Sequence, residues 1–335
     1  MAQPSHIYGV ARIHALELKL LDNAKIERMV DAATPEEVLK VLAESGDYGV
    51  SMGDIQGPWE YERLLAEEKK RLVDLMEQLS PDPELTDLFF IRNDIHNLKV
   101  LLKAHYLGRN YDEFLSAAGR IEIDRLKAAL EEDAHRQLPA WLADAVENVH
   151  LVSVEAPDPQ RMEVILDRAM YRHILEVCRK NRQKFLLDFF REEIDLINIK
   201  SFFRVYKGDV ESGFFSRVFI PGGHVEEKDF WKAFEDGMER LPEILYSSDY
   251  SDLVQETVTE LNDGHNLSNF EKKVDNRLLS RIKSASRYNF DGIEPVIGYI
   301  FAKEYEAKVV RIIMVGKLNG LEPGSIRERL RDSYV

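Results

Sequence analysis

Apolar residues fall at helical spacing along nearly the whole chain. In residues 91–103, IRNDIHNLKVLLK, Ile91, Ile95, Leu98 and Leu102 recur at intervals of four, three and four, one stripe on an α-helix. Phe190, Ile194 and Ile197 repeat that stripe about a hundred residues later. Residues 59–79, WEYERLLAEEKKRLVDLMEQL, mix leucine with glutamate and lysine, which favour helix. Thr34-Pro35-Glu36-Glu37 predicts a helix start: a capping hydroxyl, proline at the first helical position and a carboxylate at the third. Ser80-Pro81-Asp82-Pro83 predicts the end of one helix and the opening of the next. Two-residue alternation of β-branched residues is nearly absent, so the expected class is all-α with little or no sheet.

The helix at 91–103 belongs to a pattern that occurs three times. Its relatives are 192–204, EEIDLINIKSFFR, and 303–315, KEYEAKVVRIIMV. An acid recurs at Asp94, Asp195 and Glu306, and a base five residues on at Lys99, Lys200 and Arg311. Between them stand Asn97 and Asn198, with Val309 in the third copy. Flanking segments repeat too. GRIEIDRLKAAL (119–130) resembles GHVEEKDFWKAF (223–234), and TPEEVLKVLAESGDYG (34–49) resembles LPEILYSSDYSDL (241–253), with Asp47-Tyr48 matching Asp249-Tyr250. A period this long is a domain-sized unit rather than a solenoid turn. The chain therefore reads as three helical repeat units, 1–109, 110–209 and 210–335, with no low-complexity tract between them.

Composition narrows the chemistry. The 335 residues include 45 basic and 60 acidic side chains, a net charge of −15. That balance argues against sequence-independent nucleic-acid binding and against attraction to anionic headgroups. Cys178 is the single cysteine, so no intrachain disulfide and no cysteine zinc site can form; a reducing compartment is expected. The N-terminus lacks the apolar run of a signal peptide, and no stretch reaches the roughly 18 apolar residues of a transmembrane helix. The phosphate loop GxxxxGK[ST] is missing: Gly316-Lys317 has only its final pair, with Arg311 and Leu318 where glycine and hydroxyl are needed. Nine histidines offer no HExxH spacing. No cofactor is expected.

The repeated Asp94, Asn97, Lys99; Asp195, Asn198, Lys200; and Glu306, Arg311 admit two readings. One is a triplicated proton-transfer site; the other is a repeated packing device. Acid–base catalysis needs one asymmetric cleft with matched pKa values, and the loss of asparagine at Val309 would disable a copy, so packing is favoured. The segment GFFSRVFIP (213–221) is a candidate partner-contact loop through Phe214, Phe215 and Phe219, or else a buried joint.

YGVARIHALELKLL (8–21), FFIRNDIHNLKVLLKAHYLG (89–108) and FAKEYEAKVVRIIMVGKLNGL (301–321) resemble the C subunit of archaeal and bacterial V-type (A-type) ATPases, the counterpart of the eukaryotic d subunit, or AC39. The similarity covers nearly the whole chain, departing at Val309 where asparagine is expected. The resemblance implies three similar helical domains around a pseudo-threefold axis, shaped as a funnel. It implies a non-catalytic central-rotor adaptor on the cytoplasmic face of the membrane, a socket between the D and F subunits of the central stalk and the membrane proteolipid ring. It would couple ATP hydrolysis or synthesis to proton or sodium-ion transport, binding no nucleotide itself. The alternatives are a helical-repeat scaffold of a different complex and an all-helical enzyme.

Overall fold

The computed structural model describes residues 6–45, 48–130, 134–153, 157–208, 210–246, 248–288 and 292–335. Asp47, half of one matched Asp-Tyr pair, lies outside them. Among the described residues the regular structure is helical, without strands, as the apolar spacing predicts. The α-helices in chain order begin with α1 (His6–Glu17), α2 (Asn23–Asp31), α3 (Pro35–Ala43), α4 (Tyr48–Ser51), α5 (Tyr61–Leu79) and α6 (Pro83–Leu107). They continue with α7 (Ile123–Leu130), α8 (Ala140–Ser153), α9 (Pro159–Lys180), α10 (Lys184–Lys207), α11 (Phe214–Val218) and α12 (Glu227–Asp236). The last are α13 (Leu241–Ile244), α14 (Ser251–Asn262), α15 (Ser268–Tyr288), α16 (Glu294–Leu318) and α17 (Pro323–Arg329).

Local signals set the boundaries. The Thr34 hydroxyl accepts from the Glu37 N–H at 3.3 Å, and Glu37 reaches back to the Ala33 N–H at 2.7 Å. Ser80 closes α5, and α6 opens at Pro83. Gly108 and Gly320 follow α6 and α16 with φ of +62° and +66°, left-handed backbone that glycine adopts without a Cβ penalty. The segment 213–221, expected as a loop, contains the short helix α11.

Two compact units emerge, Met1–Phe89 with Glu271–Val335, and Phe90–Phe270, so the first is built from both ends of the chain. In the first unit, Met29, Val30, Val38 and Leu42 of α2 and α3 pack with Val309, Val310, Ile313 and Met314 of α16. In the second unit, Phe202 meets Phe234 at a centroid distance of 4.6 Å, and Phe215 meets Phe230 at 5.0 Å. Such offset aromatic pairs add about 0.5–1.5 kcal/mol beyond their buried area. The repeat helices α6, α10 and α16 are the long ones, at 25, 24 and 25 residues. Phe189, Phe190, Ile194, Asp195, Asn198 and Phe202 are all buried on α10, so it is enclosed on more than one face. A buried helix must satisfy its polar side chains within the protein, so Asp195 and Asn198 need partners there.

Cys178 is fully buried on α9, and burial pushes its thiol up to about 12, opposed by neighbouring Arg179. The thiolate is the reactive form, so native protein at pH 8 should resist iodoacetamide. Alkylation followed by mass spectrometry should show modification only as denaturant unfolds the chain. Rapid labelling under native conditions would contradict this packing.

Candidate functional site

The repeated acids and amides hold backbone. Asp94 is buried on α6, and its Oδ2 and Oδ1 accept from the N–H groups of Arg120 and Ile121 at 3.1 and 3.0 Å. Asp195 on α10 does the same: Oδ2 accepts from His224 at 3.0 Å and Oδ1 from Val225 at 3.0 Å. One turn along each helix the asparagine makes a paired bridge. Asn97 donates through Nδ2 to the Ser116 carbonyl at 2.9 Å and accepts the Ser116 N–H through Oδ1 at 2.7 Å. Asn198 makes the same pair with Ile220, at 2.7 and 2.8 Å. An acid and an amide three apart share a helix face, so together they clamp the segment entering α7 or α12.

Glycine makes room for each carboxylate. A Cβ at Gly119 would lie 2.2 Å from Asp94 Oδ1, and one at Gly223 would lie 2.0 Å from Asp195 Oδ1. Both glycines head the matched segments 119–130 and 223–234. That shared first residue is the signal by which they could have been identified from sequence; its reason is visible only with the carboxylate in place.

The third copy differs in a way Val309 explains. Glu306 on α16 accepts the Leu21 N–H, at the end of the segment entering α2, and forms an ion pair with Lys303 at 3.0 Å. Lys303 is buried, 3.5 Å from Glu68 and 4.6 Å over the Tyr48 ring. Where copies one and two have a turn outside any helix, this copy has the end of α1. There Lys19 and Leu20 donate to the carbonyls of Leu16 and Glu17 at 2.9 and 3.1 Å. That backbone is already bonded, so an amide has nothing to bridge, and Val309 packs into the apolar core instead. The matched tyrosines keep company with the acids. The Tyr250 hydroxyl donates to Asp195 Oδ2 at 3.0 Å, and Tyr48 covers the lysine that pairs with Glu306.

The repeated bases lie apart from the acids. Lys99 binds both oxygens of Asp167 on α9, at 2.7 and 2.8 Å. Arg311 makes a two-pronged pair with Glu62 on α5, at 2.6 and 2.8 Å. That pairing holds the Glu62 carboxyl below its usual range, chiefly through the hydrogen bond from Arg311. Lys200 is half-buried on α10. Arg92, two residues before Asp94, grips Glu193, two before Asp195, at 3.0 and 2.7 Å. Tyr171 adds a third bond to that glutamate at 3.2 Å.

Burial pushes the Asp195 carboxyl above its ordinary value, while the Val225 and His224 N–H groups and the Tyr250 hydroxyl pull it back. Both oxygens of each aspartate are taken up by donors, an arrangement suited to fixing backbone rather than to passing protons. Of the three phenylalanines of the candidate contact loop, Phe215 and Phe219 are buried in the aromatic cluster, and Phe214 lines an open groove. Among the described residues no group of three or more His, Cys, Asp or Glu is placed to hold a metal. No helix there is long and apolar enough to cross a membrane.

Gly119→Ala and Gly223→Ala should each lower stability by about 1–3 kcal/mol through overpacking against the carboxylate. Gly324→Ala, with open space around it, should be neutral or slightly stabilising. Asn198→Ala strips both partners from the buried Ile220 backbone and should cost about 1–3 kcal/mol for each group orphaned. Urea unfolding midpoints at constant m-value measure all four; equal values for the three glycine variants would defeat the steric argument.

Residues 9–329 match the model of the family described as ATP synthase (C/AC39) subunit. The C subunit of the V-type sodium ATPase of Enterococcus hirae is 27% identical over 322 residues, covering 96% of this chain and 97% of that protein. The C subunit of the A-type ATP synthase of Methanocaldococcus jannaschii is 26% identical over 346 residues, covering 97% of this chain and 86% of that one. The A-type ATP synthase of Thermococcus gammatolerans has a C subunit that is 25% identical over 329 residues, covering 96% and 88%. The N-terminal, central and C-terminal segments that carry the resemblance all lie within or at the edge of this match, and the chain belongs to the ATP synthase (C/AC39) subunit family.

Proposed function

We propose that this chain is the non-catalytic central-rotor subunit of a V/A-type rotary ATPase. It links the D and F subunits of the central stalk to the membrane proteolipid ring from the cytoplasmic face, so that ATP hydrolysis or synthesis drives or draws on ion transport. The observation that carries the proposal is the family match over residues 9–329, joined to relatives named as C subunits of V-type and A-type enzymes.

The geometry of the repeat supports a socket. Asp94 holds the segment entering α7, Asp195 the segment entering α12, and Glu306 the segment entering α2 near the start of the chain. Each repeat helix thus grips the entry to the following unit, and the last grips the first. A cyclic order of this kind is what three units, 1–109, 110–209 and 210–335, need to close around a pseudo-threefold axis as a funnel. Phe89, Phe190 and Phe301 hold equivalent positions in the three helices, and Phe89 meets Phe301 edge to face at 6.2 Å. Rings at matched positions suit helices that converge on such an axis. The acids and amides are occupied in holding backbone, in keeping with a body that transmits torque and performs no chemistry of its own.

Reconstitution tests the proposal. The purified chain should bind a D–F stalk complex and a detergent-solubilised proteolipid ring together. An ATPase assembled without it should hydrolyse ATP while failing to pump ions into vesicles. Full ion pumping without this chain, or binding to neither partner, would overturn the reading and leave a scaffold of a different complex.

A further inference from the structure

The second unit carries an open groove of about 760 Å³ that the repeat does not account for. Its long wall is α9, where Arg161, Arg168, Arg172 and Arg179 follow one another along the groove. Arg217 of α11 lines the opposite side, 4.8 Å over the Phe214 ring. Between the guanidinium groups lies an apolar floor that includes Val152, Val164, Ile165 and Val218. Among the described lining residues the one carboxylate, Asp158, caps α9 by accepting the N–H groups of Gln160 and Arg161.

Two of these side chains have structural duties. Arg168 donates to the Phe219 and Ser216 carbonyls at 2.9 and 2.8 Å, holding α11 in place, and Arg217 stacks on Phe214. Arg161, Arg172 and Arg179 are exposed and make no ion pair among the described residues. Only part of the row is shared with the repeat: Arg172 has a counterpart in Arg71, which pairs with Glu68 at 2.7 Å, and Arg179 has one in Gln78. One period earlier, 101 residues before Arg161 and Arg168, stand Glu60 and Glu67, which lie 3.9 and 3.4 Å from Arg63. The equivalent face in the first unit neutralises itself, whereas this one sets five arginines against one described carboxylate, Asp158, in a chain of net charge −15.

We propose that this groove docks an acidic amphipathic helix of a partner protein. Arg161 and Arg179 are eighteen residues apart on one helix, about 27 Å at 1.5 Å per residue. A helix of similar length would lay its apolar stripe on the floor and its flanking carboxylates against the arginines, the helix-in-groove mode. Charge complementarity favours this occupant. A phosphate or lipid headgroup calls for cations gathered at one point, whereas these are strung along the wall of an apolar trough. Guanidinium forks also suit carboxylates geometrically. The surface is separate from the acid–amide clamps, and the inference stands whatever becomes of the rotor assignment.

The test titrates full-length protein, by fluorescence anisotropy, with a labelled peptide of roughly 18 residues (one helix of the groove's length) carrying a leucine stripe flanked by glutamates. A scrambled peptide of the same composition and vesicles containing phosphatidylglycerol are the comparisons. The patterned peptide should bind, weaken with added salt, and lose about tenfold or more in affinity with R172E/R179E. The gentler R172Q/R179Q should fall between, and Lys70→Glu, in the other unit, should bind as wild type does. Circular dichroism checks that each variant is folded. Equal binding of the scrambled peptide, undiminished binding by R172E/R179E, or absence of peptide binding would each overturn the proposal. So would arginine-dependent capture by the vesicles alone, which would mark a membrane site.

Discussion

Two adjacent backbone N–H groups at a turn have no helix or strand to bond them, and burying them without an acceptor costs about 1–3 kcal/mol each. The carboxylates of Asp94 and Asp195 supply that acceptor from the middle of a long buried helix. The bond works in both directions. A carboxylate buried without donors would be costly to keep charged, and the N–H pair is what makes its position tolerable. Much else answers to this exchange. The glycine beside each acid keeps the backbone close, the asparagine one turn along fixes the segment at a second point, and the following helix begins only after both contacts are made.

The helical architecture was legible because the apolar spacing, the Thr34 cap and the Ser80–Pro83 break are local features whose physics needs no tertiary partner. The motif was legible as a pattern for a different reason. Repetition displays a constraint three times even when its cause lies out of view, and the triplication together with the loss of asparagine at Val309 already favoured packing. What the motif binds was hidden. Asp94 and Asp195 reach residues 26 to 30 positions ahead, and Glu306 reaches one 285 positions behind. No spacing rule connects such residues. Val309 looked like an anomaly and is accounted for only once the end of α1 is seen to satisfy its own carbonyls.

The loop 213–221 illustrates the same limit. Its aromatics left a contact surface and a buried joint both open, and helix formation over Phe214–Val218 sends Phe215 inward and leaves Phe214 beside the groove. The arginines across from it recur at intervals of seven, four and seven, which is one helix face, and that spacing could have been noticed in the sequence. A charge run of that kind is ordinarily a solvated face. It gains meaning here from the apolar floor it borders and from the paired acids in its counterpart.

The bond between Glu306 and Leu21 joins the beginning of the chain to its end. On a ribosome, the N-terminal segment emerges long before its acceptor exists. With 285 residues between them and synthesis at roughly 5–20 residues per second, the wait is about 15–60 s. Phe90–Phe270 is available in full well before that, while the unit made from both termini stays incomplete until α16 is released. Apolar residues such as Met29, Val38 and Leu42 therefore spend the interval without their α16 partners. The newborn chain is most exposed to aggregation and chaperone capture at its front end, and its last long helix is the piece that brings the hazard to a close.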